Sequence, residues 1–334
     1  MLLKMPSHAN SGEWLATSSG PGPDKIRLIA VVGPTAVGKT EFAIRLAEQF
    51  NGEIIGADSR QIYRMMDIGT AKPNSQQWAR VRHHLIDVVS PDETLTLGQY
   101  KALATGAIRE IASRGKLPFI VGGSGLYLKT VLEGWTIPEV APDAELRERL
   151  QAEAQTYGNE HLYRRLQAVD PVAASKVDQR NVRRIIRYLE VYYATGDPIS
   201  ARQHKFPPPY QILQIGLTLP RSQLYRRIEA RVDEMIAQGL VEEVRHLLAL
   251  GYSADLPALS GFGYRQIIRH LRGQCSLAEA VEDTKKESRR FVHRQYAWFP
   301  LDDPNILWLE AGEAAFGGAR HALSSIVTID GRSA

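Results

Sequence analysis

The chain has 334 residues, 44% of them hydrophobic and 23% charged, with a formal net charge of +4 at pH 7. That length can bury a substantial core in one large or two smaller domains. A single cysteine, Cys275, excludes an intrachain disulfide and a cysteine-built zinc site, and no apolar run is long enough to form a membrane-spanning helix.

Residues 1–25 are rich in Ser, Gly and Pro without the continuous apolar stretch of a signal peptide, and are expected to form a disordered leader. The cysteine usage fits a reducing, cytoplasmic setting. Leu28 to Val32 reads as a buried strand, Gly33 to Thr40 fits G-x-x-x-x-G-K-T, and Glu41 to Phe50 has helical spacing. In that strand–loop–helix context, bare backbone N–H groups at a helix N-terminus meet a phosphate anion. Gly33 and Gly38, lacking a Cβ, let the backbone turn and approach closely. Lys39 would put an ammonium on the terminal phosphates, and Thr40 a hydroxyl on a bound Mg ion. The loop alone does not say which phosphate ester it holds.

Ile54 and Ile55 belong to a second short strand, and Asp58 sits just past its C-terminal end. Ligands of parallel α/β sheets bind at that edge. A carboxylate there can hold Mg, act as a base, or cap the segment after Ser59. Met66 to Pro73 is a loop punctuated by Gly and Pro. His83 to Val89 reads as a short strand whose adjacent histidines, His83 and His84, point to opposite faces and so serve structure rather than a metal. An amphipathic helix over Leu97 to Arg114 follows. The apolar strand Leu117 to Val121 then runs into Gly122, Gly123, Ser124 and Gly125, which delivers the Ser124 hydroxyl to the same crevice. Strands alternating with helices at this spacing predict a doubly wound parallel sheet, an α/β fold.

The pattern changes at Pro138, and from Asp143 to Ala194 the periodicity is helical. Arg180, Arg183, Arg184 and Arg187 fall at i, i+3, i+4 and i+7, on one helical face with no interleaved acid. A solvated face usually mixes signs, so this one favours a phosphate-rich partner. Thr195 to Pro209 reads as a linker, and Ile212 to Leu219 returns as a strand, which makes the helical segment an insertion. Arg226, Arg227 and Arg231 share a face of the helix from Arg221 to Ile236. The long helix Ser276 to Trp298 interleaves Lys285, Lys286, Arg289, Arg290, His293 and Arg294 with Phe291, Tyr296 and Trp298, either as a nucleic-acid track or with the aromatics in the core. Ile306 to Leu309 could form a final edge strand. The expected division is a leader at 1–25, an α/β core at 26–137 and 210–315, an insertion at 138–209 and a tail at 316–334.

Taken in order, Gly33 to Thr40, Ala57 to Tyr63, Met66 to Pro73, His83 to Asp87, Val121 to Tyr127, Gln179 to Arg184 and Gly263 to Gln266 resemble the signature set of the tRNA dimethylallyltransferase family. The resemblance implies a P-loop NTPase-like fold, an all-helical insertion and transfer of a dimethylallyl group from dimethylallyl diphosphate to the exocyclic amine of the adenosine 3′ of a tRNA anticodon. It further implies Mg as cofactor, and nothing in the sequence demands more than a monomer. By family position, Asp58 is the base, assisted by Lys39 and by Thr40 as metal ligand. Gly33, Pro34, Thr35, Ala36, Val37, Gly38, Lys39, Thr40 and Arg231 would hold the prenyl diphosphate. The tRNA anticodon stem-loop would meet Asp58, Ser59, Arg60 and Gln61, then Ser124 and Arg147. It would also meet Gln179, Arg180, Asn181, Val182 and Arg183, and Ser260, Gly261, Phe262, Gly263, Tyr264 and Arg265. Ser124 stands where many relatives have Thr, and Phe291 to Gln295 is less basic than usual, which leaves the chemistry untouched. The lone cysteine cannot build the zinc finger of eukaryotic members, which implies a bacterial type. The nearest alternative is an adenylate isopentenyltransferase acting on a free nucleotide. A phosphate-loop kinase or NTPase and a non-catalytic RNA-binding module are the others.

Overall fold

The computed structural model describes residues 25–328. The expected leader, apart from Lys25, and residues 329–334 of the expected tail lie outside the described residues. In chain order the elements are β1 (Ile26–Val32), α1 (Lys39–Gln49), β2 (Gly52–Ala57), α2 (Ser75–Arg80), β3 (His83–His84), α3 (Leu97–Ser113), β4 (Leu117–Gly122) and α4 (Gly125–Leu132). Next come α5 (Ala144–Tyr157), α6 (Asn159–Val169), α7 (Pro171–Ala174), α8 (Val182–Thr195) and α9 (Ile199–Arg202). The chain then returns through β5 (Tyr210–Thr218), α10 (Arg221–Ala237), α11 (Leu240–Ala249), α12 (Tyr264–Leu271), α13 (Leu277–Trp298), β6 (Ile306–Glu310) and α14 (Glu313–Thr328).

The strands form one sheet in the order β3-β2-β4-β1-β5-β6, and every pairing is parallel. A parallel sheet is covered on both faces, so its strands are apolar throughout and their side chains divide by alternation. In β1, Leu28, Ala30 and Val32 join the core beneath α3 and α4, while Ile29 and Val31 join the opposite core with α1, α10 and α14. Within β4, Ile120 goes to the first core and Phe119 and Val121 to the second. This register aims the C-terminal ends of β1, β2 and β4 at one edge.

Three expectations need correction. The strand expected over His83 to Val89 is paired only at His83 and His84. Leu85 and Asp87 have positive φ of 61° and 57°, which no extended strand tolerates. The histidines do serve structure: His83 is buried and donates from Nδ1 to Val81 O at 2.8 Å, while His84 Nε2 lies 2.7 Å from the buried Glu53. The expected linker holds the short helix α9. Residues 316–328 of the expected tail belong to α14, whose Ala315, Ala319 and Leu323 are buried in the second core.

Helices α5–α9 have their own apolar core, built from Leu146, Leu150, Leu162, Leu166, Ile185 and Leu189 among others. The chain enters and leaves this unit side by side. Thr136 N–H donates to His204 O at 2.8 Å, Phe206 N–H to Gly134 O at 3.2 Å, and Trp135 pairs antiparallel with Lys205. Gly134 permits the crossing: its φ is +62°, and a Cβ there would lie 1.9 Å from Phe206 O.

Candidate active site

The phosphate loop leaves β1 at Gly33, where φ is 138° and a Cβ would meet Leu217 O of β5 at 2.4 Å. Only glycine fits so close to the neighbouring strand. The loop ends at Gly38, which enters α1 in a left-handed conformation with φ 104° and leaves the first helical N–H groups without a side-chain cap. Lys39 folds back over the loop, donating to Gly33 O at 3.0 Å and Pro34 O at 2.7 Å. From α10, Arg231 reaches Thr35 Oγ1 at 3.4 Å and Arg227 reaches Val37 O at 3.3 Å. Arg226, on the same helix, is exposed and does not join them.

The charges at this edge perturb one another. Burial pushes the Lys39 ammonium down to about 7, and the Arg231 charge adds to that while Asp58 opposes it. Burial also lowers Arg231, again opposed by Asp58 and by Glu234. Two cations and one carboxylate therefore face one another, and among the described residues no ion pair joins Lys39 or Arg231 to an acid. The cations are held by neutral carbonyl and hydroxyl oxygens, which leaves their charge available to an anion.

Asp58 follows β2 directly. Its Oδ1 accepts from Arg60 N–H at 2.8 Å, so the expected cap exists, but it closes a turn and not a helix. The β4–α4 turn is stitched to this segment. Ser124 N–H donates to Ala57 O at 3.1 Å, Ser124 Oγ accepts from Ser59 N–H at 2.9 Å, and the two serine hydroxyls lie 3.2 Å apart. The Arg60 guanidinium donates to Pro257 O at 2.6 Å, Ala258 O at 3.1 Å and Ser260 Oγ at 3.3 Å. Gln61 donates to Thr70 O and Ala71 O. Glu243 accepts three successive N–H groups, from Asp67, Ile68 and Gly69, together with the Tyr264 hydroxyl. Residues 58–61, 66–73, Ser124 and 260–265 thus form one wall beside the phosphate loop.

Arg147 and residues 179–183 lie instead on the helical unit. Arg147 is bonded through Nε and one Nη to Glu190 at 2.7 and 2.8 Å, and Arg187 pairs with the same buried carboxylate. Burial would raise Glu190, but these arginines and Asp143 N–H outweigh it and hold it below the usual carboxylate range. Arg180 precedes α8 and pairs with Asp178 at 2.6 Å, and Arg184 donates to Tyr188 at 2.5 Å. The expected uninterrupted basic face is therefore corrected: acids just outside the segment neutralise Arg180 and Arg187. Asn181 caps α8, accepting Arg184 N–H at 3.2 Å, and Arg183 is exposed.

In the long helix α13 most cations are spent on structure, with Lys285 on Asp233, Arg289 on Glu229 and Arg290 on Glu287. His293 sits within 3.3 Å of Arg221 and 3.2 Å of Tyr225. Arg294 instead covers the rings of Phe262 and Phe291. Gln295, last of the family stretch from Phe291 and assigned no role by the sequence, is buried and reaches the phosphate loop, accepting from Thr35 N–H at 2.8 Å.

The architecture is a parallel α/β sheet whose glycine loop of phosphate-loop pattern and a carboxylate, Asp58, lie at the same C-terminal edge. The IPP transferase family matches residues 61–302, and the chain belongs to that family. The tRNA dimethylallyltransferase of Roseiflexus sp. (strain RS-1) is 54% identical over 286 residues, covering 86% of this chain and 93% of that relative. The solved full-length tRNA isopentenylpyrophosphate transferase of Bacillus halodurans is similar with a TM-score of 0.67 at 38% identity, over 90% of this chain and 96% of that one. A eukaryotic dimethylallyltransferase acting on tRNA gives a TM-score of 0.74 at 25% identity, over 92% of this chain and 80% of that one.

Proposed function

We propose that this protein transfers the dimethylallyl group of dimethylallyl diphosphate to the exocyclic amine of the adenosine 3′-adjacent to a tRNA anticodon, releasing diphosphate, as a cytoplasmic monomer. The observation that carries the reading is Asp58 at the end of β2, at the same sheet edge as the phosphate loop with its Lys39 and Arg231 and tied to that loop through Ser59, Ser124, Gly123 and Gln295. An anion held at the loop amides therefore has a proton acceptor across the crevice.

An adenine amine is a weak nucleophile because its lone pair is delocalised into the ring. Asp58 accepts its proton as the C–N bond forms, removing the developing positive charge. Diphosphate gathers negative charge as the allylic C–O bond breaks, and Lys39, Arg231 and the loop amides stabilise that charge most in the transition state. The adenosine must leave its stack to enter the crevice, and the wall from Asp58 to Gln61 and from Ser260 to Arg265 would receive it. Arg147 and residues 179–183 present the helical unit to the anticodon stem, where recognition rests on phosphates and shape.

Among the described residues no three His, Cys, Asp or Glu gather as a cation cage. A lone hydroxyl beside a diphosphate site fits Mg, which prefers phosphate oxygens and water to an all-protein cage. Thr40 would hold it. Bound there, Mg would neutralise charge on the departing diphosphate.

A free nucleotide as acceptor leaves the helical unit without a task, and a kinase would need an acid at the end of β4, where this chain has Gly122 after Val121. The test is a transfer assay with radiolabelled dimethylallyl diphosphate and Mg. Label is expected in unmodified tRNA with adenosine 3′ of the anticodon, and none in the guanosine variant or in AMP. Label in AMP would move the protein to the nucleotide-prenylating class.

A further inference from the structure

The two halves of the proposed reaction are held by different elements, the diphosphate by the β1–α1 loop and the amine by the segment after β2. Their separation must be fixed to a fraction of an ångström for in-line displacement. We infer that Gln295 of α13 is a positioning residue that sets this separation through one continuous hydrogen-bonded bridge. The inference rests on the prenyl-transfer reading of the site.

The bridge is explicit. Gln295 Oε1 accepts Thr35 N–H at 2.8 Å, and Gln295 Nε2 donates to Gly123 O at 3.1 Å. The next residue, Ser124, accepts Ser59 N–H through its hydroxyl at 2.9 Å and donates its own N–H to Ala57 O at 3.1 Å. Asp58 lies between Ala57 and Ser59. The chain of contacts thus runs from the phosphate loop through one side-chain amide to both neighbours of the base.

Chemistry selects the residue. Thr35 offers a donor and Gly123 an acceptor, so only a group with one of each satisfies both, and only one orientation of the amide does so. Gln295 is 4% exposed, so an unmet partner would stay unmet in a buried site. The fit is tight: a Cβ at Gly123 would lie 2.4 Å from Gln295 Nε2 and 3.8 Å from Lys39 Nζ. Neighbouring contacts fasten the helix that carries it. Tyr296 OH is 2.9 Å from Thr218 Oγ1 at the end of β5, and Arg289 holds Glu229 of α10, the helix that supplies Arg231.

The test compares the wild-type chain with Gln295→Met, which keeps the length and loses both bonds, and Gln295→Glu. Three quantities are measured: affinity for inorganic diphosphate by calorimetry, backbone hydrogen exchange with and without diphosphate, and the single-turnover transfer rate to tRNA at saturating substrates. Diphosphate is expected to slow exchange at 33–40 and also at 57–61 in wild type, but only at 33–40 in Gln295→Met. The transfer rate of that variant should fall about 10- to 100-fold, the scale of a small misplacement, with diphosphate affinity changed less than about threefold. A protonated Glu again carries one donor and one acceptor, so Gln295→Glu should recover rate relative to wild type as pH falls from 8 to 6. Protection that still spreads to 57–61 in Gln295→Met overturns the inference, as does a loss confined to diphosphate affinity. If Gln295→Met does not fold, the spread of protection and its pH dependence in Gln295→Glu decide the matter. A wild-type chain that shows the spread but labels no tRNA overturns the prenyl-transfer reading and leaves the bridge standing.

Discussion

The crevice and the helical unit treat charge in opposite ways. In the helical unit, Arg147 and Arg187 converge on the buried Glu190, Arg165 pairs with Glu153, and Arg180 with Asp178. Each of these four cations has its acid, and their arrangement serves stability. At the crevice Lys39 and Arg231 lean on carbonyl and hydroxyl oxygens, while Asp58 leans on a backbone N–H. Such neutral supports hold a charge in place without cancelling it, at a cost in desolvation visible in the lowered proton affinity of Lys39. Paired charges mark where the protein is fastened, and propped charges mark where a ligand completes the pairing.

That contrast can be broken by substitution. Asp58→Ala should produce the largest effect, a loss of about 10²- to 10⁴-fold in single-turnover transfer, with tRNA affinity within a few-fold in a filter-binding assay. A large loss of tRNA affinity with unaltered chemistry would make Asp58 a binding residue. Lys39→Ala should lower transfer by about 10²- to 10³-fold, the scale of one oriented donor.

The wild-type Lys39 sharpens the comparison through pH. Its ammonium loses a proton near 7 in the free protein, whereas a bound polyanion favours the charged form and raises that value. Above pH 7, diphosphate binding should therefore take up a proton, and affinity should weaken by at most tenfold per pH unit until the raised value is passed. Calorimetry in buffers of different ionisation enthalpy measures the uptake, and buffer-independent heats would contradict it.

On the other side, Glu190→Ala leaves two partly exposed cations and the Asp143 N–H without their acceptor and should destabilise α5–α9 by about 1–3 kcal/mol. Hydrogen exchange should quicken at 143–199 while diphosphate affinity at the loop stays unchanged. The smallest effect belongs to Arg183→Ala combined with Arg184→Ala. Loss of two phosphate contacts should lower tRNA affinity and reduce the salt slope by about 1.5. An unchanged slope would take this face out of the tRNA contact.

The crevice was largely legible in sequence because its parts are local. A buried apolar run followed by a glycine loop fixes the position of Lys39, and a strand end fixes Asp58, whatever the rest of the chain does. Residues 58–61 and 260–265 could be matched to a family pattern, but that Arg60 clips one to the other is a fact of tertiary structure. The role of Gln295 was hidden for the same reason: the stretch from Phe291 to Gln295 matches a family pattern, but its partners Thr35 and Gly123 are brought to it only by the fold. The basic face of α8 is only half free because Asp178 and Glu190, just outside the stretch from Gln179 to Tyr188, neutralise Arg180 and Arg187, one from before the helix and one from a turn further on. The strand after His84 failed on backbone conformation, since apolar residues there meet positive φ at Leu85 and Asp87.

The paired neck at Gly134–Thr136 and His204–Phe206 has a consequence for how such a chain can be edited. Paired strands lie about 4.8 Å apart, so some seventy intervening residues form the tip of one long hairpin. A two-residue turn can bridge that gap without moving β4 or β5. Topologically the helical unit is an appendage, and in-frame deletion of its gene segment is expected to leave the sheet closed behind it.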